Sequence, residues 1–352
     1  MIFKNYPWDP SDQPTILKRS DKKKLRQGQG FNFFVLLLIN LIWFPILFIL
    51  YKFKNQKEQN KKTNKNFFGL CVNLDKGNEQ HALVEELGVK SLQIRFFLSD
   101  MDNIDRYVEF SKSFGKDKDI LICVIQSRKH IENHELLKSD MQIVFEKFQN
   151  LANEFIIGHT INRIKWGFVS IDEYLQYFQT IQKLRDELFP SLKLIGSNVI
   201  DFEYHFTIAT LFNDYDIKYD KLGSLLYVDR RGSPYNTQYK IFDFKEKIEF
   251  LDTIVKSSTK SKNSIYITES NWPLKNTAPY APTSELECVS EEEYTKNMLE
   301  YHDIAIKTGK IEKIFWHQLL APGYGLVDNR EDKLRKMPQF YAYKKMIEEC
   351  SI

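Results

Sequence analysis

The chain has 352 residues, 43% of them hydrophobic and 28% charged, with a formal net charge of +3. That is globular composition, with length for one large domain plus additions. It excludes a general polyanion binder and predicts no nucleic-acid partner, because the basic excess is concentrated around one apolar stretch near the N-terminus.

Residues 1–30 form a polar, basic tail, and residues 31–50 (FNFFVLLLINLIWFPILFIL) carry no charge. At about 1.5 Å per residue such a run spans roughly the 30 Å hydrocarbon core, so it predicts a single membrane-crossing helix. A cleaved signal peptide fits less well, since the run starts late and no A-x-A-like site follows it. Lys18, Arg19, Lys22, Lys23, Lys24 and Arg26 precede the run, and Lys52, Lys54, Lys57, Lys61, Lys62 and Lys65 follow it. The balance between these two groups assigns no orientation. The expected location is a membrane, as a single-pass protein of the bacterial inner membrane, with the side of the main domain undetermined. Residues 51–66 read as a basic linker able to lie on anionic headgroups.

From residue 67 onward, β-rich runs alternate with helical patterns, the signature of parallel βα units. Strands are expected at 67–73, 91–97, 120–125, 155–158, 192–196, 223–229, 264–269 and 312–317, and helices at 79–87, 103–114, 136–153, 171–189, 290–309 and 339–349. Ser170 with Glu173, and Ser290 with Glu293, have the spacing of capping boxes. The expected fold class is α/β, a (β/α)₈ TIM barrel over 67–352 preceded by a single transmembrane helix. A doubly wound open sheet is the weaker alternative: Gly69 stands alone where a phosphate loop needs G-x-G-x-x-G.

In such barrels chemistry gathers at the C-terminal strand ends, and the polar residues here gather at the same positions. Strand two supplies Arg95, and Arg128 follows strand three. Strand four runs into GHTINRIKWG, with Asn162, Arg163, Lys165 and Trp166. Strand five leads to Asp201 and Glu203, strand six to Asp229, Arg230 and Arg231, and strand seven to TESNW, with Glu269 and Trp272. Strand eight brings Trp316, His317 and Gln318.

A glutamate ending strand seven in an I-T-E context, with a tryptophan ending strand eight, resembles the clan-A glycoside hydrolases. The set is similar to a bacterial branch of that clan found among surface-polysaccharide functions. The resemblance spans residues 67–349 and implies Glu269 as nucleophile or charge stabiliser. It further implies Trp316 as the floor of a sugar subsite. One departure stands out. The clan's strand four ends in G-N-E-P-N, whereas this chain has Gly158-His159-Thr160, with Thr160 where the general acid belongs. A threonine hydroxyl cannot donate a proton near neutral pH as a tuned carboxylic acid can. Asp201, Glu203 or Asp229 is therefore expected to replace it, Asp201 and Glu203 before Asp229.

The cations Arg95, Arg128, Arg163, Lys165, Arg230 and Arg231 suggest an anionic saccharide, since guanidinium forks match carboxylate and phosphate. Trp166, Trp272 and Trp316 are expected to stack on sugar faces. No cofactor or metal is predicted: His130 and His134 lack the H-E-x-x-H pattern, and no G-x-S-x-G elbow is present. Cys71 and Cys123 read as buried hydrophobes, and nothing requires a disulfide. The expected function is a membrane-anchored glycosidase or transglycosidase acting on an envelope or surface saccharide. A non-catalytic saccharide-binding barrel and a sugar-transferring enzyme of polysaccharide assembly are the alternatives.

Overall fold

The computed structural model describes residues 18–53, 64–331 and 333–350, so the start of the tail and the middle of the expected linker lie outside the described residues. Eight parallel strands close a barrel in sequence order: β1 (Phe68–Val72), β2 (Ser91–Phe97), β3 (Asp119–Ile125), β4 (Glu154–Ile157), β5 (Lys193–Ile200), β6 (Lys221–Leu225), β7 (Ile265–Ile267) and β8 (Ile311–Trp316). Closure is direct, with β1 paired to β2 through Gly69 and Ser91 and to β8 through Phe68 and Ile314. The loop after β8 adds a small antiparallel pair, β9 (Val327–Asp328) and β10 (Arg335–Lys336).

Because side chains alternate along a strand, each strand feeds two separate cores. Cys71, Cys123, Ile156, Ile195, Tyr266 and Phe315 fill the barrel interior. Leu70, Val72, Ile94, Ile122 and Phe155 face outward and pack under the helices. Gly69 makes the interior packing possible at β1: a Cβ there would lie 2.5 Å from the Phe315 ring.

The helices are α1 (Arg19–Arg26), α2 (Gly30–Phe53), α3 (Gln80–Leu87), α4 (Ile104–Ser113), α5 (Arg128–Glu132), α6 (His134–Phe148), α7 (Ile171–Leu188), α8 (Tyr204–Leu211), α9 (Phe244–Lys256), α10 (Glu291–Thr308) and α11 (Pro338–Glu349). A full capping box opens α10 at Ser290 and Glu293, and an unforeseen one opens α9 at Asp243 and Glu246. At α7, Ser170 accepts from the Glu173 amide, but the Glu173 carboxylate reaches past the cap to the Val169 amide and to Arg128.

Helix α2 is a candidate membrane span by length and apolarity. It also packs on the outer wall of the barrel, where Leu47 and Tyr51 are fully buried and Trp43 stacks on Phe212 at 4.2 Å.

Two strand ends differ from expectation in a way that moves the site. Strand β5 runs on past Gly196 to Ile200, because Ser197, Val199 and Ile200 keep pairing with β6 around a bulge at Asn198. Asp201 therefore sits at the true end of β5. Strand β6 stops at Leu225 rather than at 229, because Tyr227 turns toward the barrel axis and residues Asp229–Arg231 form a tight 3-10 turn.

Candidate active site

Arg95 is an inward residue of β2, two positions before the strand ends, and it is almost wholly buried. Its Nη2 donates to Glu269 Oε2 at 2.5 Å, across the barrel from the segment after β7. Tyr227, from the segment after β6, donates its hydroxyl to Glu269 Oε1 at 2.5 Å. His159 Nε2 stands 3.6 Å from Oε2, from the turn after β4. Glu269 keeps only 7% exposure. Burial opposes its charge, but His317, Arg95, His159 and the Tyr227 hydroxyl together outweigh that cost and hold the carboxyl down at about 2. The side chain is an ionised carboxylate at neutral pH, gripped on both oxygens.

The turn after β4 is strained around Thr160. Gly158 takes φ +85° and Thr160 takes φ 50°, a region that a β-branched residue rarely enters. Thr160 is buried, and its Oγ1 has no hydrogen-bond partner among the described residues. Gln126 braces this turn, donating from Nε2 to the carbonyls of His159 and Trp166 at 2.8 and 2.6 Å and accepting from the His159 amide. The strained pair Arg230 and Arg231, at φ 48° and 53°, forms the corresponding corner after β6. Such outliers cost of order 1–3 kcal/mol each and cluster where function fixes a side chain.

The other carboxyls are disposed unequally. Asp201 and Glu203 are both held by Arg163, at 2.9 and 2.7 Å, and Asn162 donates to Glu203 at 2.7 Å while also bridging the Ile200 backbone. Asp229 makes no side-chain hydrogen bond or ion pair with any described residue. Burial, despite nearby Asp229 and Asp201, lowers the Lys247 ammonium to about 8. Its Nζ donates to the Tyr227 carbonyl and supports the loop that carries both Tyr227 and Asp229.

The expected cations part company in the same way. Arg128 pairs with Glu132 and Glu173 and donates to the Gly167 carbonyl, bracing the start of α7 rather than joining the groups around Glu269. Arg231 lies over the Tyr227 ring, its Cζ 3.0 Å from the centroid; its Nη2 stands 3.8 Å from Asp201 Oδ1, and its buried Nη1 has no hydrogen-bond partner among the described residues. Lys165 makes no ion pair with a described residue, and burial followed by Arg163 lowers its pKa against the pull of Asp201 and Glu269. Arg230 is exposed.

The three tryptophans do not offer the sugar-stacking faces expected of them. Trp272 and Trp316 are wholly buried, stacked on each other at 5.8 Å, with their indole N–H groups given to the Gly232 carbonyl and the Tyr294 hydroxyl. Trp166 packs edge-on against His159 at 4.7 Å and is also buried. His317 stacks on Tyr324, and Gln318 bonds Asn73 and the Tyr324 hydroxyl. His130 and His134 pair with Asp140 and Thr180 around α6.

Tyr227 is a member of the cluster around Glu269 that motif reading missed. It sits in the run LLYVDRRG, where an expected strand continuing to Asp229 made it one apolar position among several.

No family model matches the chain, and no curated protein matches it in sequence. Solved structures do match in fold. The β-glucosidase of Thermotoga maritima in complex with deoxynojirimycin aligns at a TM-score of 0.63 and 12% identity, over 84% of this chain and all of that one. The glucoimidazole complex aligns at 0.60 and 14% identity, over 79% and 87% of the two chains. The family 1 β-glucosidase from the same organism aligns at 0.60 and 12% identity, over 83% and 99%. The chain thus has the closed parallel barrel of the glycoside hydrolases, and the low identity limits that likeness to the fold.

Proposed function

We propose that this protein is a membrane-attached glycosidase or transglycosidase of an anionic envelope saccharide, with Glu269 as its nucleophile. The observation that carries the reading is a carboxylate just after β7, kept ionised by His317, Arg95, His159 and the Tyr227 hydroxyl from other strand ends. In this reading a Glu269 oxygen attacks the anomeric carbon, and the bond from that carbon to the leaving oxygen breaks. The leaving oxygen takes a proton from a neighbouring acid. Water or an acceptor hydroxyl then gives up its proton to the same acid and displaces Glu269.

Asp229 is the proton donor in this scheme. Asp201 and Glu203 are each held in an ion pair by Arg163, whereas Asp229 makes no side-chain hydrogen bond or ion pair with any described residue. Arg231, whose buried Nη1 has no hydrogen-bond partner among the described residues although its Nη2 stands 3.8 Å from Asp201, and Lys165 supply positive charge for a uronate or a phosphorylated sugar. The apolar helix α2 supports attachment to a membrane.

A second reading, a barrel that binds saccharide without cleaving it, is favoured by Thr160 in the usual acid position. One experiment separates the two. Glu269→Gln keeps the shape and removes the charge, so the variant should lose turnover of anionic glycosides while still binding them. Undetectable turnover by the wild-type chain across uronate and sugar-phosphate glycosides, with binding intact, would establish the binding barrel instead.

A further inference from the structure

Helix α2 has two unlike faces. At 3.6 residues per turn, Asn40, Trp43, Phe44, Leu47, Phe48 and Tyr51 fall on one side and meet the barrel. Phe34, Leu38, Leu41, Ile42, Ile49 and Phe53 fall on the other side and are 53%, 41%, 62%, 59%, 55% and 87% exposed. The two asparagines of the helix, Asn32 and Asn40, are both on the half-buried side, where Asn40 donates to the His205 carbonyl at 3.0 Å. The sequence run looks apolar all round, but its polar groups are spent on protein and its outer stripe is purely apolar.

The helix also lies across the barrel wall. Phe31 and Val35 border a cavity of about 620 Å³ with Ile171 and Leu175 of α7. Trp43 then stacks on Phe212 after α8, and Tyr51 meets Phe250 of α9 at 5.6 Å. An upright helix that kept these contacts would carry three outer helices to bilayer depth. It would carry Asp172, Asp214 and Lys260 with them, since they line the same cavity. Charged groups are costly at that depth. A helix lying along the surface meets no such conflict.

Charge at the helix ends fits the same arrangement. Arg19, Lys22, Lys23, Lys24 and Arg26 are exposed on or beside α1, and Lys52 is exposed at the far end of α2. Basic residues at both ends assign no sidedness to a spanning helix. For a helix lying in one headgroup layer, they all face the same anionic surface.

We infer that α2 is a one-sided membrane seat, its outer face in the acyl boundary of an anionic bilayer and its inner face fixed to the barrel. This rests on the membrane attachment in the proposed function and is independent of the chemistry at Glu269. The seat brings the β4–α7 rim toward the lipid surface, since Arg26 and Gln29 border a cavity of about 440 Å³ with Ile161 and Asn162.

The test uses the full chain on sealed vesicles of phosphatidylcholine and phosphatidylglycerol. In a Cys350→Ser background, nitroxides are attached at Phe34→Cys, Leu41→Cys and Ile49→Cys, and their depth is read from oxygen and nickel accessibility. The expected result is one shared shallow depth, about 5–10 Å below the headgroups. A second variant, Leu38→Asp with Ile42→Asp, leaves the barrel face untouched and should lower vesicle binding about tenfold or more. Leu41 at the bilayer centre with Phe34 and Ile49 near opposite surfaces would overturn the proposal in favour of a spanning helix. Labels shielded from both probes would overturn it in favour of a second copy covering the face, and absence of vesicle binding would overturn it outright. Glu269→Gln carried through the same measurement should give unchanged depths, so a failure of the catalytic reading leaves this result legible.

Discussion

Arg95 and Glu269 are 174 residues apart in the chain and form a buried ion pair at 2.5 Å across the barrel mouth. Both side chains are below 10% exposed, so neither charge is relieved by water. Breaking such a pair by removing one partner typically costs about 3–5 kcal/mol, because the other charge stays buried. That penalty explains why Glu269 is surrounded by further donors rather than held by Arg95 alone.

Tyr227→Phe removes one of those donors and little volume. The variant should lose about 1.5–3 kcal/mol of stabilisation of the Glu269 carboxylate. Since the Tyr227 hydroxyl lowers the carboxyl pKa, its loss must raise it. The acidic limb of the pH–rate profile should therefore move to higher pH. An unmoved limb would remove Tyr227 from the site's electrostatics.

Asp229→Asn tests the proton donor. Loss of a general acid typically costs about 10²–10⁴-fold. That loss should appear with a poor leaving group and nearly vanish with a highly acidic aryl leaving group, which needs no proton. Asp201→Asn and Glu203→Gln loosen Arg163 and should affect both substrates alike. A leaving-group-dependent loss in either of those two would transfer the role to it.

His302 predicts acid sensitivity away from the site. It is buried among Phe68, Tyr301 and Trp316, donates Nδ1–H to the Met298 carbonyl at 2.8 Å, and is lowered by burial to about 4. Its folded pKa lies below the unfolded value of about 6.5, so the unfolded state takes the proton first as pH falls. The stability it contributes is complete above about pH 6.5 and is lost between there and about pH 4, an effect of about 3 kcal/mol. His302→Phe should flatten that part of the curve, as read from urea midpoints across the pH range.

Removing residues 1–60 uncovers Phe212, Phe242 and Phe250, which α2 covers with Trp43, Phe48 and Tyr51. The truncated chain should unfold at lower temperature than the full chain in detergent and aggregate without detergent. Equal melting temperatures would mean that the barrel from residue 67 is self-sufficient, as its sequence periodicity suggests.

The sequence by itself determined the barrel, because eight β-rich runs each followed by helical spacing can bury both strand faces in few other ways. It also marked Glu269, since a carboxylate closing an apolar run before a turn is placed at the mouth by strand direction alone. The same reasoning could not tell which cations are free. Arg163 and Lys165 read alike in sequence, and sequence alone puts Asp201 ahead of Asp229; only contacts between distant segments divide the paired from the unpaired. Tyr227 was hidden because a strand ends where pairing stops, and pairing is a property of the neighbouring strand. The two faces of α2 were invisible for a related reason. A run with no charges has no polar stripe to read, and what separates its faces is the aromatic wall of α8 and α9 folded against it.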